Sequence, residues 1–263
     1  MLELGMPTLI ERPEPEDCAR LCRELGLQFV ELNMNLPLYQ PDRMDIAKLE
    51  AVSRQYGIYY TIHLDENLDV GDFNPYVAQA YARTVRETIA IAKQLRAPVL
   101  NMHLSRGVYF TLPDRKVYLF ETYKDRYQQS MARFREDCET HIGASPLQIC
   151  VENSGGYTDF QMETLDMLLK SPVFALTFDI GHHHRIGGAD ELFITARRKK
   201  LRHFHFHDAD GKRDHLVLGT GEIDLRRYLD MAIQCRSRIV LETKTVEGLR
   251  QSAAWMRRLK PGG

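Results

Sequence analysis

The chain has 263 residues, is 44% hydrophobic and 27% charged, and carries a net charge of −1. That size and balance suit one soluble globular domain whose core needs neither disulfides nor structural metal. Such a charge balance gives no electrostatic reason to expect nucleic acid or anionic membranes as partners, and no apolar run approaches membrane-spanning length. The five cysteines are odd in number and include no Cys-x-x-Cys pair; Cys18 and Cys22 stand one helical turn apart and are expected to face the core. The start, MLELGMPTLIERPEPEDCAR, has acidic residues where a signal peptide needs a basic head. Reduced thiols and a cytoplasmic location are the expectation.

Taken in order, Leu2–Ile10 predicts a first strand, and Pro15–Leu25 a helix that Gly26 stops as its C-terminal cap. Phe29–Asn33 (FVELN) predicts the second strand, and Asp45–Tyr56 its helix, ended by Gly57. The third strand, Ile58–His63, leads through a polar loop to Asn74-Pro75, an N-cap with proline in the first turn. That helix runs to Leu95, and Ala97-Pro98 opens the fourth strand, Val99–His103. A long connection follows from Leu104 to Phe120, then a helix over Thr122–His141 and a fifth strand over Leu147–Glu152. Phe160–Lys170 reads as helix and Val173–Asp179 as the sixth strand; GHHHRIGG reads as a loop before a helix at Asp190–Lys200. Leu201–His205 is the seventh strand. Asp224 caps a helix to Gln234, Ile239–Glu242 is the eighth strand, and Thr245–Leu259 the closing helix.

Eight strand–helix units in strict alternation, with right-handed crossovers, predict an α/β protein: a single (β/α)8 TIM barrel over residues 1–263. A doubly wound open sheet is the competitor, weakened because no Gly-rich phosphate loop follows the first strand. In a barrel, the C-terminal ends of all strands meet on one rim, where such folds place their active sites.

What stands at those ends is chemically specific. Strands three to eight close on His63, His103, Glu152, Asp179, His205 and Glu242. Any one of these, alone, reads as a solvated rim residue. Glu152, Asp179, His205 and Glu242, however, occupy corresponding positions on consecutive strands. Three carboxylates in half a barrel mouth repel one another unless a cation neutralises them. An oxygen-rich set with one imidazole suits Mn²⁺, Zn²⁺, Mg²⁺ or Co²⁺, and the lack of thiolates argues against Cu(I) or an iron–sulfur cluster.

His63, His103, His182 and His215 form a second tier, able to hold further metal beside Glu152. His183 and His184 read equally as members of a His-rich polar loop. His207 and Asp208 read either as ligands or as groups orienting one. His203 alternates with His205 and His207 on one strand face, and its greater depth marks it as structural. The stretch 107–123 offers Tyr109, Phe110 and Tyr118 either to cover a small substrate or to pack on the outer rim.

These residues carry a resemblance. FVELN (29–33), YTIH (60–63), LNMH (100–103), VENSGG (151–156), FDIGHHH (178–184), HFHDADGKRDHLVLGTGEID (205–224) and VLETK (240–244) resemble the xylose isomerase-like barrel superfamily across nearly the whole chain. That superfamily includes sugar isomerases and epimerases and the apurinic-site endonucleases. The resemblance to its epimerases implies one divalent ion held by Glu152, Asp179, His205 and Glu242, with Glu152 and Glu242 also exchanging protons beside the substrate carbonyl. It implies a substrate-contacting role for His182 and, more loosely, for Arg213. The resemblance to the endonucleases implies further metal ligands at His63, His103, His182 and His215.

Two departures weigh against the nuclease reading. Arg213 fills the place of that group's third-metal aspartate, with Asp214 one residue further on. After His63 stands LDENLD (64–69), whose acids oppose phosphate. The expectation is a metal-dependent sugar or sugar-phosphate isomerase or epimerase acting on a small-molecule substrate, with self-association left open. A multinuclear phosphodiesterase is the alternative. A ligand-binding barrel without turnover has no feature in its favour, since the proton carriers are intact.

Overall fold

The computed structural model describes residues 2–259. The first half contains β1 (Leu4–Pro7), α1 (Pro15–Glu24), β2 (Phe29–Asn33), α2 (Ile46–Tyr56), β3 (Tyr59–His63), α3 (Pro75–Leu95) and β4 (Val99–His103). A short hairpin of β5 (Tyr109–Thr111) and β6 (Lys116–Tyr118) follows, then α4 (Leu119–Thr122), α5 (Lys124–Ile142), β7 (Gln148–Glu152) and α6 (Asp159–Leu168). The remainder is β8 (Phe174–Asp179), α7 (Ile180–Arg185), α8 (Glu191–Ala196), β9 (Leu201–Phe206), α9 (Leu225–Cys235), β10 (Arg238–Leu241) and α10 (Val246–Leu259).

Eight parallel strands close in the order β1-β10-β9-β8-β7-β4-β3-β2, with helices between them. This is the expected (β/α)8 barrel. The caps follow from sequence: Asp45 Oδ1 accepts from Lys48 N at 3.0 Å, and Gly57 ends α2 in the left-handed region at φ 61°. Thr158 and Gln161 form a reciprocal capping box at α6. Cys18 and Cys22 are buried against the barrel as expected, and all five thiols are free.

Several boundaries differ from the sequence reading, each for a local reason. The first strand stops at Pro7, after which Leu9 and Arg12 bridge across a turn. The helix expected at Thr122–His141 begins earlier and is broken at Tyr123, whose ψ of 45° separates α4 from α5. The long connection is not featureless, because residues 109–118 pair as the β5–β6 hairpin. The segment read as the loop GHHHRIGG starts as helix α7: the Asp179 carboxylate caps it, and Gly187 and Gly188 end it. The helix expected at Asp190–Lys200 shortens to α8 plus a 3-10 turn at Arg198–Lys200.

Register places the site. Asn33 pairs with His63, His103 with Glu152, and Asp179 with His205, so the members of each pair lie side by side at the ends of neighbouring strands. Alternation puts the residues two and four positions earlier successively deeper in the barrel on the same face. There Val99, Cys150 and Ala175 pack together, and the Phe29 ring stacks on Tyr59 with centroids 5.2 Å apart. This apolar floor lets polar groups above it be held without bulk water.

Candidate functional site

At the C-terminal ends of the strands, donor atoms crowd around His205 Nδ1. It stands 3.1 Å from Glu242 Oε2, 3.3 Å from Glu152 Oε2 and 3.8 Å from Asp179 Oδ2. Glu152 Oε2 also lies 3.4 Å from His63 Nε2 and 3.4 Å from His103 Nε2. Among the described residues, five groups of three each bring potential ligand atoms within 4.8 Å of one another, among them Asp179, His205 and Glu242; His63, Glu152 and His205; and Glu152, Asp179 and His182. The four residues expected to share a cation are therefore brought together, and His63, His103 and His182 border them.

The donor chemistry fits a divalent cation. His205 Nδ1 and Glu242 Oε2 are buried, face each other at 3.1 Å, and complete no hydrogen bond. Lone pairs opposed at that distance are tolerated only with a proton or cation between them. Burial opposes the charge on Glu152, but the facing His205 and His103 hold its carboxyl well below the usual range. Glu242 is likewise held low: burial opposes its charge, and His205, His215 and Lys244 together outweigh burial. Conversely, burial disfavours the charged form of His205, yet Glu152, Glu242 and Glu31 raise it well above its ordinary value.

Local sequence explains how each side chain is aimed. Asn101 Nδ2 donates to Glu152 Oε2, and Thr177 Oγ1 donates to Asn101 Oδ1, so β4 and β8 orient the glutamate on β7. Asn153 clamps Asp179 by accepting from its backbone N at 2.8 Å and donating to its carbonyl at 3.0 Å. Asp179 Oδ1 caps α7 by accepting from His182 N at 2.7 Å, which leaves Oδ2 toward the cluster. As a helix, α7 then spreads its three histidines. His182 turns inward, His183 packs buried against the Phe178 ring, and His184 lies outward, 3.5 Å from Glu222.

His207 and Asp208 have distinct roles. His207 Nε2 sits 3.0 Å from Asp179, while its Nδ1 accepts from His215 N at 2.8 Å. A Cβ on Gly181 would meet the His207 ring at 1.9 Å, so only glycine lets α7 pass over it. Asp208 is the anchor of its loop, accepting from the backbone N of Ala209, Gly219, Gly221 and Ile223. A Cβ at Gly221 would lie 2.4 Å from Asp208 Oδ1, which accounts for the second glycine of Leu-Gly-x-Gly-Glu. The loop so fixed presents His215 at φ 55°, a conformation that costs an ordinary residue about 1–3 kcal/mol and clusters at functional sites. Its ring stacks on His207 at 4.1 Å and reaches within 3.6 Å of Glu242.

Of the adjacent pair Arg213 and Asp214, it is Asp214 that reaches the histidines. It lies 3.4 Å from His182 Nδ1 and 3.0 Å from His215 Nδ1. The structure does not bring Arg213 to the cluster: its guanidinium is exposed and pairs with Asp210 at 2.7 Å. Arg185 is the guanidinium that approaches, 3.1 Å from Asp214.

Two residues escaped sequence reasoning. Lys244 Nζ bonds Glu242 Oε1 at 2.7 Å beside a hollow of about 180 Å³ lined by Thr8, Asn33, Asn35 and Leu36. Glu31, 2% exposed, sits below the cluster and accepts from Thr61, His203 and His205. Its signal was an acid in the middle of an apolar strand, FVELN, rather than at the end. A larger hollow of about 940 Å³, between α8 and α9, contains none of the cluster's residues.

The model of one family, described as xylose isomerase-like TIM barrel, matches residues 19–259. The chain belongs to that family. Among solved structures, it is similar to a D-tagatose 3-epimerase-like protein, with TM-score 0.77 and 21% identity over 98% of this chain and 96% of the other. It is similar to the 3-keto-D-glucoside 4-epimerase of E. coli, with TM-score 0.78 and 14% identity over 98% and 100%. It is also similar to an IOLI protein with a bound zinc atom, with TM-score 0.74 and 16% identity over 97% and 96%. Among the described residues, no helix is long and apolar enough to cross a membrane.

Proposed function

We propose that the protein is a divalent-cation-dependent isomerase or epimerase of a sugar or sugar phosphate. The observation that carries this reading is the placement of two glutamates, one buried and one half-buried, beside one imidazole, with Glu152 3.3 Å and Glu242 3.1 Å from His205 Nδ1. Glu152, Asp179, His205 and Glu242 would hold the cation, which when bound would favour negative charge developing on substrate oxygens. Mn²⁺, Zn²⁺, Mg²⁺ and Co²⁺ all suit such donors. The similarity to sugar epimerases, and to a barrel with bound zinc, supports both halves of the reading.

Glu152 and Glu242 would remove and return the proton on the carbon next to the carbonyl, each from its own face. The hollow beside Glu242, with Asn33, Asn35 and Lys244, is placed to receive the hydroxylated or charged end of a sugar. His182 borders the other side, where it would contact substrate oxygens. Arg213 would need to leave Asp210 to do the same.

A second reading, phosphodiester hydrolysis, is favoured by one arrangement. Asp214 joins His182 and His215, and Glu152 joins His63 and His103, so donors for additional ions flank the first set. Incubating the cation-loaded protein with ketoses and ketose phosphates in heavy water separates the two. Deuterium entering the carbon beside the carbonyl, with no cleavage of an activated phosphodiester, is expected. Hydrolysis without deuterium entry would overturn the isomerase reading in favour of the second.

A further inference from the structure

We infer that Glu31 is a positioning residue that commits His205 to present Nδ1, rather than Nε2, to the cation. The inference rests on the reading of His205 as a ligand. Glu31 lies on β2, across the barrel from β9, at the level of Thr61 and below the rim. Its two carboxylate oxygens divide their work. Oε2 accepts from Thr61 Oγ1 at 3.0 Å and from His203 Nε2 at 2.9 Å, which fixes the plane of the carboxylate. Oε1 is left for a single partner, His205 Nε2, at 2.9 Å.

An ionised carboxylate has no hydrogen to give, so the imidazole nitrogens facing it must donate. When His205 binds a cation as a neutral ring, its one hydrogen therefore resides on Nε2, and the lone pair falls to Nδ1, the atom that points at Glu152, Asp179 and Glu242. Nδ1 is buried and without a hydrogen-bond partner, as a nitrogen reserved for an ion should be.

The choice of a carboxylate here is informative. A buried carboxylate is costly to desolvate, and a neutral acceptor could orient one ring. An amide, however, would turn an N–H toward one of the two facing imidazoles, whereas a carboxylate accepts from both. Its negative charge also makes the donating ring a stronger ligand on its far side, the effect by which outer partners tune metal sites. His203, with its own Nδ1 unpartnered in the barrel interior, thus belongs to the same relay as a brace for Glu31.

The test measures Zn²⁺ binding to metal-free protein by competition with a chromophoric chelator, independent of any turnover. Glu31→Gln is expected to weaken binding about 10- to 100-fold, while Thr61→Val, which removes a Glu31 hydrogen bond but not the one to His205, stays near wild type. Equal binding by wild type and Glu31→Gln would overturn the role of Glu31 alone. No binding by the wild type would instead overturn the ligand reading and this inference with it. Should Glu31→Gln fail to fold, nitrogen NMR of the Zn²⁺-loaded wild type decides. A hydrogen on His205 Nε2 and a metal-shifted Nδ1 are expected; the reverse assignment would overturn the inference.

Discussion

Glu152 and Glu242 reach His205 from opposite sides, one from the end of β7 and one from the residue after β10, with β8 and β9 between them. If each serves one face of the substrate carbon, the two carboxylates are not interchangeable. Glu152→Gln and Glu242→Gln should each lower interconversion of epimers by about 10²- to 10⁴-fold, yet each should still let deuterium enter from one of the two epimers. Following solvent deuterium separately from each epimer checks this, and identical loss from both directions in both variants would mean that the glutamates only hold the cation. The ends of strands were legible because metal-binding side chains stand where apolar runs stop. Glu31 was not, because a mid-strand acid looks like a strand fault until His203 and His205 are seen to donate to it from across the barrel. Arg213 was misleading for the opposite reason: its place in the chain is next to Asp214, but its guanidinium turns outward to Asp210.

Helix α7 shows how an element can hide in a sequence. Its six residues are too few for apolar periodicity, and a run of three histidines reads as loop. What makes it helical is one side chain, Asp179, which caps its N-terminus with Oδ1 while Oδ2 faces the cluster. The hairpin β5–β6 was equally invisible, since each strand has only three residues. It leaves Val108, Tyr109 and Phe110 exposed on the segment that follows His103. Such a flap adds little to the core but can shield a bound sugar from water. Replacing Tyr109–Tyr118 by a short Gly-Ser link should leave the thermal midpoint within a few degrees and raise KM for the sugar severalfold. An unchanged KM would assign the hairpin to another task.

Across the full barrel, the arrangement gathers buried carboxylates and imidazoles in one mouth, and their mutual charge governs pH behaviour. Burial disfavours charge on His63, but the Glu152 hydrogen bond and charge raise it from 6.5 to about 9. A raised value means that this pairing stabilises the cation-free protein fully below pH 6.5 and that the contribution is lost as pH climbs through about 9. Glu152, held low, gives up its share only as pH falls below the usual carboxylate range. Cation ligands bind deprotonated, so a bound ion reverses the slope at neutral to alkaline pH. Chelator-treated protein should therefore lose thermal stability between pH 6.5 and 9, and protein with excess Zn²⁺ or Mn²⁺ should not; parallel curves would contradict a cation at this mouth.

The alternation of strands and helices made the barrel readable from sequence, because it is set by period and punctuation along the chain. Which donors face one another depends on register between strands far apart in sequence, which no local pattern records. Crystals grown with Mn²⁺ and measured for its anomalous scattering address that facing directly. A peak within bonding distance of Glu152, Asp179, His205 Nδ1 and Glu242 is expected. Density that leaves those four side chains without a shared ion, in protein saturated with metal, would contradict the account.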